Sequence, residues 1–295
     1  MDVFAGAGRE SAEVARLFWV MAGGALAIWL IVTALALHSV RARRSRWSDT
    51  AAVRLIVIGG CALPAVVLAA LLVYGMPLLT RREGGATVRL SVVGEQWWWR
   101  VRYHLPNGGS VDLANEIRLP RGQVTQVDLT STNVIHSFWI PALAGKVDMI
   151  PGRVTRLMLE PLQSGIYRGA CAEYCGLSHT RMAFVAEVME PEAFARWLDS
   201  ESRPASAGDA AFGANGCGAC HAIRGTAATA SIGPDLMHVG RRHTIAAGAV
   251  PNDADAIANW IARPDRFKPG SLMPRFDALP PDQRLRLAAY LRSLQ

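Results

Sequence analysis

A chain of 295 residues, 51% of them hydrophobic and carrying a net charge of +7, has room for two globular domains besides a membrane anchor. Residues 1–82 carry nine arginines against four acidic residues, residues 83–203 twelve basic against thirteen acidic, and residues 204–295 ten basic against seven acidic. Most of the excess therefore sits at the apolar end, and no basic patch remains on which to rest nucleic-acid binding.

Leu17–Val40 is a run of twenty-four residues without a formal charge, and a second apolar run extends over Leu55–Leu79, interrupted by Gly59, Gly60 and Pro64. Each is long enough to cross about 30 Å of hydrocarbon as a helix, and a helix satisfies its own backbone in lipid. A buried core helix is a poor alternative at such lengths. Between the runs lie Arg41, Arg43, Arg44, Arg46 and Arg54, with Asp49 as the only acid. The positive-inside rule puts this loop in the cytoplasm and both ends of the hairpin on the outer side. The first run is too long for a signal h-region, so the segment reads as an anchor.

Arg81–Gly85 forms a polar exit from the membrane. Short β-like runs follow at Thr87–Val93, Trp97–Tyr103, Glu116–Leu119, Gln123–Leu129, Arg153–Leu159, Gly165–Ala170 and Met182–Met189. Turn signals separate them, notably Pro106-Asn107-Gly108-Gly109 and Pro120-Arg121-Gly122. Many short strands at this spacing predict a sandwich or barrel. Within this stretch, Cys171, Cys175, His179 and Met182 fall inside twelve residues, and His136 lies upstream. Thiolate, imidazole and thioether together suit copper, with Met as a weak ligand. Two thiolates could bridge two copper ions. A structural disulfide or a zinc site of two Cys and two His is the plainer alternative. Met182 argues against both, although a lone Met is ordinarily core packing.

Residues 190–203 predict a helix with Pro191 in its first turn, and Ser202–Gly208 predicts a linker. Cys217-Gly218-Ala219-Cys220-His221 then matches the c-type haem attachment signature, in which two thiols hold the porphyrin and the next histidine ligates iron. A redox dithiol and half a zinc site are its alternatives. Met273, in a turn between predicted helices at Asp253–Ala262 and Pro281–Leu294, is the expected sixth ligand. Met237, His238 and His243 are its rivals. Cys61 stands alone in an apolar run.

Taken together, these motifs resemble cytochrome c oxidase subunit II with a cytochrome c domain fused behind it, as in caa-type haem-copper oxidases. The resemblance implies a transmembrane α-hairpin over residues 1–82, an all-β cupredoxin-like sandwich over 83–203 and an all-α cytochrome c domain over 204–295. It implies a binuclear CuA centre bridged by Cys171 and Cys175. His179 and the Glu173 backbone carbonyl would complete one copper, His136 and Met182 the other. It further implies that the Glu173 side chain touches a Mg site shared with subunit I, that Asp148 faces the same subunit, and that electrons enter near Trp97 of the Trp-rich segment Gly94–Tyr103. For Trp97 core packing is the plain alternative, and for Asp148 a solvated surface position. One departure stands out: many family members carry a Glu shortly before the Pro of the second helix, whereas Leu55–Cys61 contains no carboxylate.

The implied role is an electron relay from cytochrome c, through haem c and the two coppers, to the haem-copper subunit I, with subunit III beside it. That subunit would reduce oxygen to water and pump protons. No residue of this chain is placed to bind oxygen. The expected location is a bacterial plasma membrane, spanned twice, with both termini and both redox domains on the periplasmic side. A nitric oxide reductase fed through a similar copper domain is an alternative, as is a copper-delivery or redox-sensing membrane protein. A quinol oxidase would lack the copper ligands.

Overall fold

Alternation of apolar and polar side chains organises the middle of the chain into two five-stranded sheets. This computed structural model describes residues 4–41, 48–79, 85–204 and 208–295. Arg43, Arg44 and Arg46 of the basic loop, Arg81–Gly84 of the polar exit and residues 205–207 of the linker lie outside them. The first sheet contains β1 (Val88–Glu95), β2 (Trp98–His104), β3 (Ser110–Ala114), β5 (Thr125–Ser131) and β8 (Thr155–Leu159), in the order β3-β2-β1-β5-β8. The second contains β4 (Glu116–Pro120), β6 (His136–Trp139), β7 (Val147–Met149), β9 (Gly165–Cys171) and β10 (Ala183–Met189), in the order β4-β10-β9-β6-β7. β1 with β5 and β10 with β4 pair parallel, and the remaining neighbours antiparallel.

β5 shows the period-two rule most clearly: every second residue from Thr125 to Ser131 is buried. The fully buried aromatics Trp99, Tyr103, Phe138 and Phe184 fill the space between the sheets. Phe138 stacks on Phe184 at 4.5 Å, and Trp99 meets Phe184 edge-on at 5.2 Å, the offset and T-shaped geometries that aromatic quadrupoles favour. Tyr103 bolts one sheet to the other: its hydroxyl donates to Arg118 O at 2.8 Å and accepts from Arg118 N–H at 2.7 Å. Three strands escape a reading by hydrophobic runs. β3, β6 and β7 are short, β7 (Val-Asp-Met) being only three residues, and β6 (His-Ser-Phe-Trp) does not alternate in polarity.

Helix α4 (Pro191–Glu201) leaves the sandwich with Phe194 packed in its core. A second core gathers Phe212, Ile223, Ile257, Leu287 and Leu291 among others. Around it lie α5 (Ala210–Ala214), the two-residue strands β11 (Thr244–Ile245) and β12 (Val250–Pro251), α6 (Ala254–Ala262), α7 (Pro264–Phe267) and α8 (Pro281–Ser293). Asp209 and Asp253 cap α5 and α6, accepting from Phe212 N–H at 2.9 Å and Ala256 N–H at 2.8 Å. Both cores belong to one unit, which also takes in residues up to Ser11; there Ser11 Oγ donates to Ala142 O at 2.7 Å.

The other unit spans Ala12–Glu83, and its described residues are mostly helical. α1 (Arg9–Arg41) and the continuous helix Asp49–Pro77 are 33 and 29 residues long, enough in length and apolarity to cross a membrane, and their apolar windows bury nothing within the chain. The second helix consists of α2 (Asp49–Val57) and α3 (Leu63–Leu79), joined by a π-turn over Ile58–Ala62. That turn directly precedes Pro64, which has no N–H to give the helical ladder.

Candidate metal centre and apolar cavity

β9 ends on Cys171 and β10 begins on Ala183, so the loop between them carries the cysteines, His179 and Met182. Strand pairing delivers the remaining donor. Phe138 of β6 pairs with Cys171 of β9, and Ala172 N–H donates to Ser137 O at 2.9 Å, which sets His136 beside the first thiol. His136 Nδ1 lies 3.8 Å from Cys171 Sγ, and His179 Nδ1 lies 3.5 Å from Cys175 Sγ. The two Sγ atoms are 3.8 Å apart, far beyond the about 2.05 Å of a disulfide bond. Met182 Sδ is 3.9 Å from Cys175 Sγ, and the Glu173 carbonyl is 3.1 Å from Cys171 Sγ.

His136, Cys171, Cys175 and Met182 are buried, and ligand atoms of the first three lie within 4.8 Å of one another. Such convergence of soft donors, with no carboxylate oxygen among them, fits copper in character. The backbone makes room for it. A Cβ at Gly94 of β1 would lie 2.8 Å from His136 Cδ2, so only glycine lets that strand pass the ring. His136 Nε2 sits 3.2 Å from Asn133 Oδ1, an amide oxygen that holds the imidazole with Nδ1 towards the thiols. The 3.8 Å contact between the thiols lowers the Cys171 pKa, while the same contact and burial raise that of Cys175.

Glu173 and Asp148 lie at the edge of this cluster, where Lys146 pairs with both, at 3.6 Å and 3.0 Å. The Glu173 carboxylate is thus engaged by a cation, while its carbonyl faces the thiols.

Where the helical domain meets the sandwich, an apolar cavity of about 250 Å³ opens beside the attachment motif. Its walls include Cys220, His221, Leu236, Ile257, Met273 and Leu291. Cys217 packs at the rim of the domain core, and burial raises its pKa. His221 Nδ1 donates to Pro234 O at 2.8 Å, which leaves Nε2 with its lone pair, and burial lowers the ring's pKa so that it stays neutral. A Cβ at Gly233 would lie 2.7 Å from His221 Cε1. Apolar walls, a neutral imidazole fixed by a carbonyl and a thioether on the same cavity fit a haem held by its two thiols.

The rivals to Met273 are engaged elsewhere. Met237 is buried in the domain core. His238 donates from Nδ1 to Gln295 O at 2.7 Å, and His243 Nε2 meets Glu187 Oε2 at 3.2 Å. None of the three lines the cavity.

Trp97 joins the two places. Its indole N–H donates to Cys175 O at 3.0 Å, Gln96 supports the same carbonyl at 2.7 Å, and Trp97 also lines the apolar cavity. Sequence reading missed Gly94, Gly233, Asn133 and Lys268, the last being a buried lysine whose ammonium donates to Trp97 O. Of these, only Lys268 carried a sequence signal, as one of just two lysines in the chain.

Comparison with known proteins gives matches in both domains. Residues 106–189 match the family described as cytochrome c oxidase subunit II, periplasmic domain, and residues 205–295 match cytochrome c. The chain is 34% identical over 220 residues to cytochrome c oxidase subunit 2 of Alkalihalophilus pseudofirmus, covering 72% of this chain and 63% of that protein. It is 28% identical over 232 residues to the subunit of the same name from Bacillus subtilis, covering 72% and 64%. The chain thus spans slightly less than two thirds of these relatives' length. The crystal structure of the periplasmic domain of subunit II of cytochrome oxidase from Bradyrhizobium japonicum matches at 29% identity and a TM-score of 0.38, covering 40% of this chain and 95% of that one.

Proposed function

We propose, for a chain whose β-domain belongs to the cytochrome c oxidase subunit II family and whose C-terminal domain is a cytochrome c, the role of electron relay into a haem-copper oxidase. Two coppers held by His136, Cys171, Glu173 O, Cys175, His179 and Met182, together with haem c on Cys217, Cys220, His221 and Met273, would supply the one-electron carriers. The chain's own residues prepare for that chemistry. Gly94 and Asn133 fix the His136 ring, Gly233 and Pro234 O fix His221, and the rigid sandwich keeps the donors from moving when charge changes. The single observation that carries the reading is Trp97, whose indole N–H holds the Cys175 carbonyl while its ring forms part of the cavity wall shared by His221 and Met273.

The two apolar helices would anchor residues 1–82 in a bacterial plasma membrane, with residues 83–203 and 204–295 as the periplasmic copper and haem domains. Electrons would come from a cytochrome c and pass to subunit I, where oxygen is reduced and protons are pumped, with subunit III in the same assembly. The Mg expected at the Glu173 carboxylate would sit where this chain meets subunit I. With no carboxylate in Leu55–Cys61, any proton entrance at this interface would draw on another group.

Purification of the native membrane complex tests the reading. A near-infrared copper band and a c-type haem band, both reduced by cytochrome c, with an oxygen-reducing subunit I in the same complex, are expected. A nitric-oxide-reducing partner would redirect the relay to that reaction. An apo-chain that passes copper to another protein would replace the relay with delivery.

A further inference from the structure

The only lysine of the haem domain, Lys268, is buried to 4% exposure, although that domain's other cations are all arginines. Its ammonium donates to Trp97 O and, at 3.3 Å, to Ala246 O, and no carboxylate among the described residues lies within ion-pair reach. Burial draws its pKa down to about 7, against the opposing pull of Cys175. A cation kept out of water with only carbonyl partners calls for a reason.

Its surroundings supply one. Ser178 Oγ donates to Pro269 O at 2.8 Å, and the Arg181 guanidinium donates to the carbonyls of Arg266 and Phe267. Ala183 N–H, at the start of β10, donates to Ala247 O at 3.0 Å. Gly270, at φ +82°, lies so close to the indole that a Cβ would stand 2.7 Å from Trp97 Cη2. Residues 266–270 of the haem domain therefore lie along the copper loop and the face of Trp97. The two domains also meet elsewhere: the Glu201 carboxylate, 1% exposed, faces Arg241 at 3.9 Å and His238 at 4.0 Å, His243 N–H donates to Glu116 Oε1 at 2.6 Å, and Arg100 donates to Ser231 O at 2.7 Å. Loss of Lys268 would leave those attachments in place.

We propose that Lys268 is a positioning residue that seats the haem domain on Trp97 and the copper loop, so that electrons cross between the two centres inside one chain over a fixed distance. This rests on the relay reading above. In each transfer one electron is lost on the haem side and one is gained on the copper side; no bond breaks and no proton moves. Tunnelling falls steeply with distance, so a seat loosened by about 1 Å slows transfer without touching either ligand set.

The test uses the full-length chain loaded with copper and haem, in K268M and K268R. Photoreduction of the haem followed by time-resolved absorbance gives the internal transfer rate, and hydrogen exchange at the Ala183 amide reports docking independently of any electron flow. K268M is expected to slow transfer severalfold and to speed Ala183 exchange, with both optical spectra unchanged. K268R, which keeps the charge and the donors, should restore most of both. Should K268M fail to accumulate, Gly270→Ala carries the test, because its methyl group pushes against the indole. Wild-type transfer in K268M or Gly270→Ala, with both bands present, overturns the proposal. A wild-type chain lacking either band defeats the relay reading itself, and this inference with it.

Discussion

Around Cys171, four of the five donor side chains lie between residues 171 and 182, and a strand pairing brings in the fifth, His136. Around His221 the walls of the cavity are gathered from short stretches as far apart as Glu95 and Leu291. Yet each imidazole is handled in the same way. One ring nitrogen is held by an oxygen, Asn133 Oδ1 or Pro234 O, and one ring face leans on a glycine, Gly94 or Gly233. The lesson is that a short loop can carry its own ligand set, whereas a large planar cofactor needs a whole domain to build its walls. Both still rely on a backbone that comes closer than any Cβ allows.

The sharpest way to break the comparison is Cys175→Ser. Cys175 Sγ faces Cys171 Sγ, His179 Nδ1 and Met182 Sδ at 3.5–3.9 Å, so it is the hub of the donor cluster. The near-infrared band and the delocalised EPR spectrum of a copper pair should vanish completely, while the haem spectrum stays as it was. Retention of the copper signal would refute the ligand assignment.

The glycines give a crossed pair of smaller effects. Gly94→Ala should displace the His136 ring, reduce copper content and leave the haem bands alone. Gly233→Ala should displace His221, so that a haem still covalently attached loses part of its low-spin spectrum while the copper signal persists. Optical spectra of the two variants, recorded side by side, check both at once. If either variant altered both centres equally, the two sites would not be held independently.

How much of this was legible in the sequence follows from the same contrast. The ligand residues stand out because thiols and imidazoles at short spacing are rare and chemically marked. The long strands stand out because their polarity alternates. β6 does not, since His136, Ser137 and Phe138 are buried in succession at the crowded end of the sandwich, and β7, at three residues, is too short for its alternation to stand out. Nor could a sequence announce Gly94 or Gly233, whose roles depend on what lies opposite them in space. Lys268 was visible as a rare residue type, but its burial against Trp97 depends on how the two domains meet.

Trp99 connects the core to the metal cluster, so it separates stability from ligation. Its ring is fully buried, edge-on to Phe138 at 5.7 Å and Phe184 at 5.2 Å, with the His136 ring 6.1 Å away. Trp99→Ala should cost about 3–5 kcal/mol in the sandwich and weaken copper retention by loosening the bed of His136. Denaturant unfolding followed by the copper band would shift, while unfolding followed by the haem band would move little. Equal shifts in the two would mean that the domains unfold as one.

The smallest effect lies at the edge of the metal cluster. Lys146 at 3.0 Å and Ser137 Oγ at 2.8 Å donate to Asp148 and hold its carboxyl below its ordinary pKa. A carboxyl with a depressed folded pKa adds stability above its unfolded value, about 3.9, and that contribution disappears as the pH falls through the folded value. Asp148→Asn should therefore cost stability near pH 7 and little once the pH is well below 4. Because both partners are half exposed, water and salt screen the pair, and the cost should stay under about 1 kcal/mol and shrink further at high ionic strength. Denaturation midpoints of wild type and variant at neutral and acid pH decide it. A gap that widens on acidification would reverse the sign and remove Lys146 as the cause.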